Sequence, residues 1–206
     1  MGCPNYFAFV YLHLAAASVI AFCSAEFIQG IEQNVWTSIL NTVIGFAALF
    51  GILLLGPGSA LQYLCFVIFA LSVGQTSQTF LKLDEHKQIL SRVLITLGGI
   101  FAGMTALGFY DRQNLLGFGP YLFAGLLGLL VAELGYGAYL FMGGKDTAPL
   151  SYISDVGILL FTIYLAYDTQ RLKQNAAICR VPNYPNDSLG LFLDLANLFN
   201  FLSIRN

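Results

Sequence analysis

The sequence predicts an all-α, polytopic membrane bundle: six spanning helices and a short seventh, forming one membrane-embedded domain over residues 1–206. Three observations carry this. Hydrophobic residues make up 57% of the chain and charged residues only 10%, whereas a soluble domain is about 25% charged. Apolar tracts long enough to cross a bilayer, about 17–25 residues, recur along almost the whole length. The connections between them are brief and rich in turn formers. Helices are the required element, because they satisfy their own backbone hydrogen bonds in lipid without closing a barrel.

The first helix is expected over 7–25. It has no basic stretch before it, and its apolar run exceeds the roughly 7–15 residues of a secretory signal, so a spanning helix is the better assignment. The opening "MGCPNY" has Tyr6 where a myristoylation site needs Ser or Thr. The second and third helices, 37–55 and 60–80, are divided by "GPGS" at 56–59. The fourth, 89–109, follows "KLDEH" at 82–86 and contains "GIFAG" from Gly99 to Gly103. This GxxxG pattern predicts a packing seam within the bundle. The fifth, 118–142, follows "YDRQN" at 110–114 and carries Gly125, Gly128, Gly135 and Gly137. The sixth, 149–168, follows "GGKDTAP" at 143–149. The seventh, 188–204, follows "RVPNYPNDS" at 180–188 and is at the short end for a span.

Charge placement gives an orientation. The connection after the sixth helix holds Arg171, Lys173 and Arg180, with no acid before Asp187. The one after the first holds Glu26 and Glu32 with no base. Cytosolic loops are enriched in Lys and Arg, which favours a cytosolic N-terminal segment and a cytosolic 169–187 connection. Lys82, Lys87 and Arg92 vote the other way, with Asp84 and Glu85 beside them. No basic tract suggests nucleic acid. The cysteines, Cys3, Cys23, Cys65 and Cys179, are far apart and form no CxxC, so they read as small hydrophobes with neither a disulfide framework nor a zinc site.

The informative residues are the ionisable ones inside the apolar tracts. Such an acid costs about 2.5–3.5 kcal/mol on insertion scales and is by default a functional candidate. Asp194 stands in the middle of "SLGLFLDLANLFNFL" (188–202). At 100° per residue, Asp187, Gly190, Asp194 and Asn197 fall within an arc of about 80°, a polar strip that must face protein or water. Asp168 ends the sixth helix in "IYLAYDTQRLK", sharing a face with Gly157, Phe161 and Tyr164. Glu133 lies in "LLVAELGYG" of the fifth helix and is a weaker candidate for the same cavity. His13 reads as a hydrogen-bonded packing residue, and Arg92 is near enough to a helix end to snorkel. Two carboxyl groups close together in a dry site cannot both ionise cheaply, so they share a proton. Once ionised they repel each other or accept a hard cation such as calcium, which prefers several oxygen ligands.

"YLAYDTQRLK" followed by "LFLDLANLFNFL" resembles the paired signature of the Bax inhibitor-1 (transmembrane Bax inhibitor motif) family, a YDTQ-like end to helix six and an LYLDxxNLF-like helix seven. Upstream, "LITLGGIFAGMTALGFYDR" is similar to its fourth helix and "LLGFGPYLFAGLLGLLVAELG" to its fifth. The resemblance covers about residues 35–206 and is strongest over 157–203. It implies a seven-helix fold in which the short seventh helix is central and wrapped by six others. It also implies a calcium leak across endomembranes (ER or Golgi) or the plasma membrane, together with suppression of cell death. In this reading Asp168 and Asp194 are the proton-sharing pair that senses pH and controls the calcium path. Two departures matter: the turn "LLLGPGSALQ" lacks the basic residue that several members place there to pair with the dyad, and the charged tail of some members is not expected after Arg205-Asn206. Glu133 matches no motif of the family.

The resemblance thus leads to a pH-sensitive calcium leak rather than an enzyme, with calcium as the permeant ion and no organic cofactor. The lipid bilayer is the surrounding partner, membrane proteins of the apoptotic machinery are candidate protein partners, and the chain is expected to be a monomer. A non-conducting scaffold acting through protein contacts is the alternative. An intramembrane aspartyl protease is disfavoured by motif: the second Asp lies in "GLFLD" rather than GxGD, and "APL" at 148–150 precedes both aspartates.

Overall fold

The computed structural model describes residues 3, 5–27, 34–81, 87–110 and 115–205. The charges read at Glu32, Lys82, Asp84, Glu85, Asp111 and Arg112 lie outside the described residues. Seven α-helices follow one another: α1 (Tyr6–Phe27), α2 (Val35–Leu54), α3 (Ala60–Leu81), α4 (Lys87–Tyr110), α5 (Gly119–Phe141), α6 (Ala148–Ile178) and α7 (Tyr184–Arg205). A 3-10 turn, Leu115–Phe118, leads into α5. No strand occurs among the described residues. Helices α1 to α6 are long and apolar enough to cross a membrane.

Two helix ends differ from expectation. Helix α6 continues ten residues past Asp168, to Ile178. The segment "TQRLKQNAAI" is too polar for lipid but made of good helix formers, so the helix outlasts the hydrophobic tract. Helix α7 starts at Tyr184, four residues before the predicted start, with Pro185 as its second residue. Proline read as a breaker is here at a helix start, where its missing N–H costs nothing.

The chain divides into two compact units. The first comprises Met1–His86 and Leu172–Leu193. Helix α3 packs on both α1 and α2. Gly74 lets α3 touch α1, because a Cβ there would run into the Ala21 carbonyl. Polar side chains reinforce these contacts: Ser24 Oγ donates to the Leu71 carbonyl (3.0 Å) and Asn41 Nδ2 to the Ser72 carbonyl (3.0 Å). The α2–α3 turn needs Gly58 at φ +77°. Gln62, fully buried, closes it: its Oε1 accepts from Gly58 N (3.2 Å), while Nε2 donates to the Ile52 carbonyl and to Asn183 Oδ1 (2.9 Å each). Tyr184 at the start of α7 contacts the rings of Tyr6, Phe9 and His13 on α1. His13 Nδ1 lies 2.7 Å from the Phe9 carbonyl, a packing position.

Cysteine usage is a correction. Cys3 and Cys179 are joined by a disulfide across 176 residues of sequence, while Cys23 and Cys65 are free. Spacing rules detect local clusters, and a bond between the first helix's approach and the last connection leaves no local signature.

The second unit comprises Lys87–Arg171 and Asp194–Asn206. Here α4 meets α6 at Gly108, where a Cβ would come 2.7 Å from both the Ala166 carbonyl oxygen and Thr169 Cβ. The 3-10 turn is held to α6 by Leu115 N donating to Gln170 Oε1 (2.7 Å). Gly125 of α5 faces Leu160 of α6, and Gly157 of α6 faces the Phe201 ring of α7. The predicted GxxxG seam is not where the helices touch: around Gly99 and Gly103 there is open space, as around Gly128, Gly135 and Gly137. Close approach within the chain falls instead on single glycines at helix crossings, which no GxxxG spacing marks.

Candidate functional site: a buried aspartate pair

Helix α7 differs from the other six in its environment. No residue from Tyr184 to Ile204 is exposed, although the helix carries Asp187, Asp194, Asn197 and Asn200. The earlier helices leave large apolar side chains exposed, Phe46, Ile95, Val131 and Leu159 among them. Of these polar residues Asp194 is buried and Asp187, Asn197 and Asn200 are partly buried, as polar groups within a membrane protein require.

Three contacts within the second unit set α6 against α7. Arg205 Nε donates to Asp155 Oδ1 at 2.8 Å. Gly157 seats the Phe201 ring, and Phe161 stacks on it at a centroid distance of 6.0 Å. The helices therefore run antiparallel. Starting from Phe161 opposite Phe201, seven residues forward along α6 is Asp168, and seven back along α7 is Asp194. Seven residues are two helical turns, so both aspartates keep the facing orientation of their starting residues. The register brings together the two residues singled out in the sequence.

The electrostatics agree with this register. Asp168 is the charged group that acts on Asp194, and both act on the Tyr164 hydroxyl one turn before Asp168. Asp194 is 3% exposed, and its Oδ2 has no hydrogen-bond partner among the described residues. Asp168 is less enclosed and feels Arg171, three residues further along α6. One carboxyl group is thus deep and under-satisfied, and the other has a cation beside it. Such a site has an unused carboxyl oxygen that can exchange a proton or accept a cation. No group of three or more His, Cys, Asp or Glu able to hold a metal occurs among the described residues. Two carboxylates fall well short of the roughly six to eight oxygens that calcium prefers, so a calcium ion there would keep part of its water.

Glu133 takes no part in this arrangement. It is exposed on α5 beside Leu130, Val131 and Leu134, themselves exposed. No interaction joins it to either aspartate among the described residues. Sequence reasoning missed a second polar cluster, in the first unit. Asp187 Oδ2 accepts from the Tyr6 hydroxyl, and its Oδ1 accepts from Asn175 Nδ2 at 2.9 Å. Asp187 was visible as part of the polar strip on α7. Its partners were not, since Tyr6 is 181 residues away.

Comparison with known proteins fits this architecture. A family profile described as "Inhibitor of apoptosis-promoting Bax1" matches residues 4–204. An uncharacterized protein of Caulobacter vibrioides is 34% identical over 110 residues, half of this chain and 41% of the relative. A protein of Schizosaccharomyces pombe named "Bax inhibitor 1" is 26% identical over 169 residues, 82% of this chain and 60% of its own. The Escherichia coli "Inner membrane protein YbhL" is 28% identical over 144 residues, 66% of this chain and 59% of its own. The matches thus span between two and three fifths of the length of these relatives.

Proposed function

This chain belongs to the Bax inhibitor-1 family of multi-pass membrane proteins, and on that premise we propose that it is a passive, pH-sensitive calcium leak controlled by Asp168 and Asp194. The observation that carries this reading is a buried, under-satisfied carboxyl on α7 set in register with a second carboxyl on α6.

In the closed state the pair holds one proton between its two carboxyl groups, which ties α7 to α6. A shared proton removes the like-charge repulsion that two carboxylates would suffer in a low-dielectric site. As pH rises and the proton leaves, the contact either opens by repulsion or is bridged by a calcium ion. Two carboxylates bind such an ion without holding it, which suits passage rather than storage. Arg171 supplies the cation that the α2–α3 turn lacks: it attracts ionised Asp168 and favours separation of the pair. Calcium is the permeant species, and the effect on the cell is to lower stored calcium and modulate cell death. The organelle is an endomembrane or the plasma membrane.

The test is calcium flux into liposomes carrying a trapped calcium reporter and the purified full chain. Flux should rise from acidic to neutral pH, and Asp194→Asn should make it low and nearly independent of pH. No flux at any pH would sink the leak and leave a non-conducting regulator that acts through protein contacts. Unchanged flux in both Asp168→Asn and Asp194→Asn would remove the pair from the mechanism. Cleavage of a helical reporter, lost in either variant, would instead point to proteolysis.

A further inference from the structure

We propose that Cys3 and Cys179 form a reversible thiol–disulfide site on the cytosolic side of the membrane, which exchanges with a small cytosolic thiol and its disulfide. The inference stands apart from calcium passage, because the two cysteines and the residues that hold and line their site are in the first unit.

Three features of that unit distinguish an exchange site from a permanent cross-link. The fold, and not only the bond, holds the two sulfurs together. Tyr6, three residues after Cys3, is buried, donates its hydroxyl to Asp187 and contacts the Tyr184 ring. Asp187 is in turn tied to Asn175, four residues before Cys179. Opening the disulfide therefore leaves both thiols within reach, and closure does not have to search for a partner.

The second feature is access. Both cysteines are partly exposed. An open cavity of about 340 Å³ beside them is lined by Cys3, Tyr6, Ala176, Ala177 and the Lys173 side chain. Thiol exchange proceeds through the thiolate, which a neighbouring cation favours. The cavity is large enough to admit a small thiol and carries a cation at its wall.

The third feature is the side of the membrane. Residues 171–180 carry Arg171, Lys173 and Arg180, and no acid occurs from Thr169 to Asn186. Helix ends and short connections with this excess of basic residues face the cytosol. Disulfides persist in oxidising compartments, and in the cytosol they are chiefly transient and redox-responsive. A disulfide at the basic end of the protein is therefore one that the cytosolic thiol pool can open.

The chemistry balances with the small disulfide as oxidant. One cysteine thiolate attacks a sulfur of the small disulfide, forming a mixed disulfide and expelling one small thiolate, which takes up the proton released. The second cysteine thiolate attacks the protein-bound sulfur, forms the Cys3–Cys179 bond and expels the other small thiolate. Two protein thiols are oxidised as one small disulfide is reduced to two thiols. Excess small thiol runs the sequence backwards.

The experiment uses the full chain in inside-out and right-side-out membrane vesicles. These are bathed in membrane-impermeant reduced and oxidised glutathione at varied ratio, quenched, unfolded and tagged with a maleimide of known mass. The chain has four cysteines, so the proposal expects two tags at oxidising ratios and four at reducing ratios. The change should be reversible over repeated cycles and occur only when the cytosolic face is bathed. In Cys3→Ser and Cys179→Ser the count should no longer move by two. Four tags at every ratio would mean that the bond does not form. Two tags at every ratio would mean a permanent cross-link. Exchange confined to the opposite face would place the site outside the cytosol. Each of these overturns the proposal.

Discussion

Asp187 and Asp155 bracket what a single surface or near-surface acid can do in this protein. Asp187 accepts hydrogen bonds on both carboxylate oxygens, from Tyr6 and from Asn175. Removing it leaves the hydroxyl of buried Tyr6 and the Asn175 amide without their acceptor. Hydrogen bonds to charged groups are worth about 1.5–3 kcal/mol, so Asp187→Ala should lower thermal stability clearly in detergent. Asp155 pairs with Arg205, but both side chains are about half exposed. Exposed pairs contribute only about 0–1 kcal/mol, and Asp155→Asn should shift the unfolding temperature little, less still at high salt. Equal losses from the two variants would contradict this ranking. The sequence made Asp194 legible because it interrupts an apolar run, and Asp168 because it closes one beside the same motif, where a charge needs a reason. It hid the Tyr6–Asp187 contact, because a tyrosine at the start of a spanning helix is ordinary and only the fold reveals its partner.

Helices, unlike their contacts, were visible as hydrophobic tracts. Each of the seven predicted segments corresponds to a helix, and the errors are at ends where the chain remains helical beyond the apolar stretch, as at Lys173 to Ile178 in α6. Hydropathy locates the bilayer, not the end of the hydrogen-bond ladder. Helix contacts were misread at Gly99 and Gly103, which face open space, while Gly74 and Gly157 carry close crossings. The two classes of glycine should respond oppositely to alanine. At Gly99 the new methyl meets nothing, so Gly99→Ala should be neutral or stabilising by up to about 1 kcal/mol, because alanine loses less backbone entropy in a helix. At Gly74 the methyl meets the backbone of Ala21, which cannot rotate away. Gly74→Ala should cost at least the upper part of the roughly 1–3 kcal/mol typical of overpacking. Gly157→Ala should fall between them, because the obstacle is the Phe201 ring, a side chain that can tilt. Thermal unfolding of the three variants in one detergent checks the order; a destabilised Gly99→Ala beside a tolerated Gly74→Ala would reverse it.

At the scale of the whole chain, a bond between Cys3 and Cys179 also bears on topology. Six helices long enough to span lie between them, and an even number of crossings returns the chain to its starting side, so both sulfurs meet the same compartment. The bond closes a loop of nearly the entire sequence. Restricting so long a loop in the unfolded chain is worth typically about 2–4 kcal/mol. In a membrane that figure overstates the gain, since spanning helices remain inserted and helical when their mutual packing is lost. What the bond restricts is then the rearrangement of six linked rods rather than of a random coil. Reduction should accordingly lower the unfolding temperature by a few degrees and leave helix content unchanged. Cys179→Ser should start at the lower temperature and show no further response to reductant. Should the wild-type protein melt identically with and without reductant while free-thiol tagging confirms that the bond has opened, the cross-link adds no stability, and the contacts of Tyr6 and Tyr184 alone hold the N-terminal segment in place.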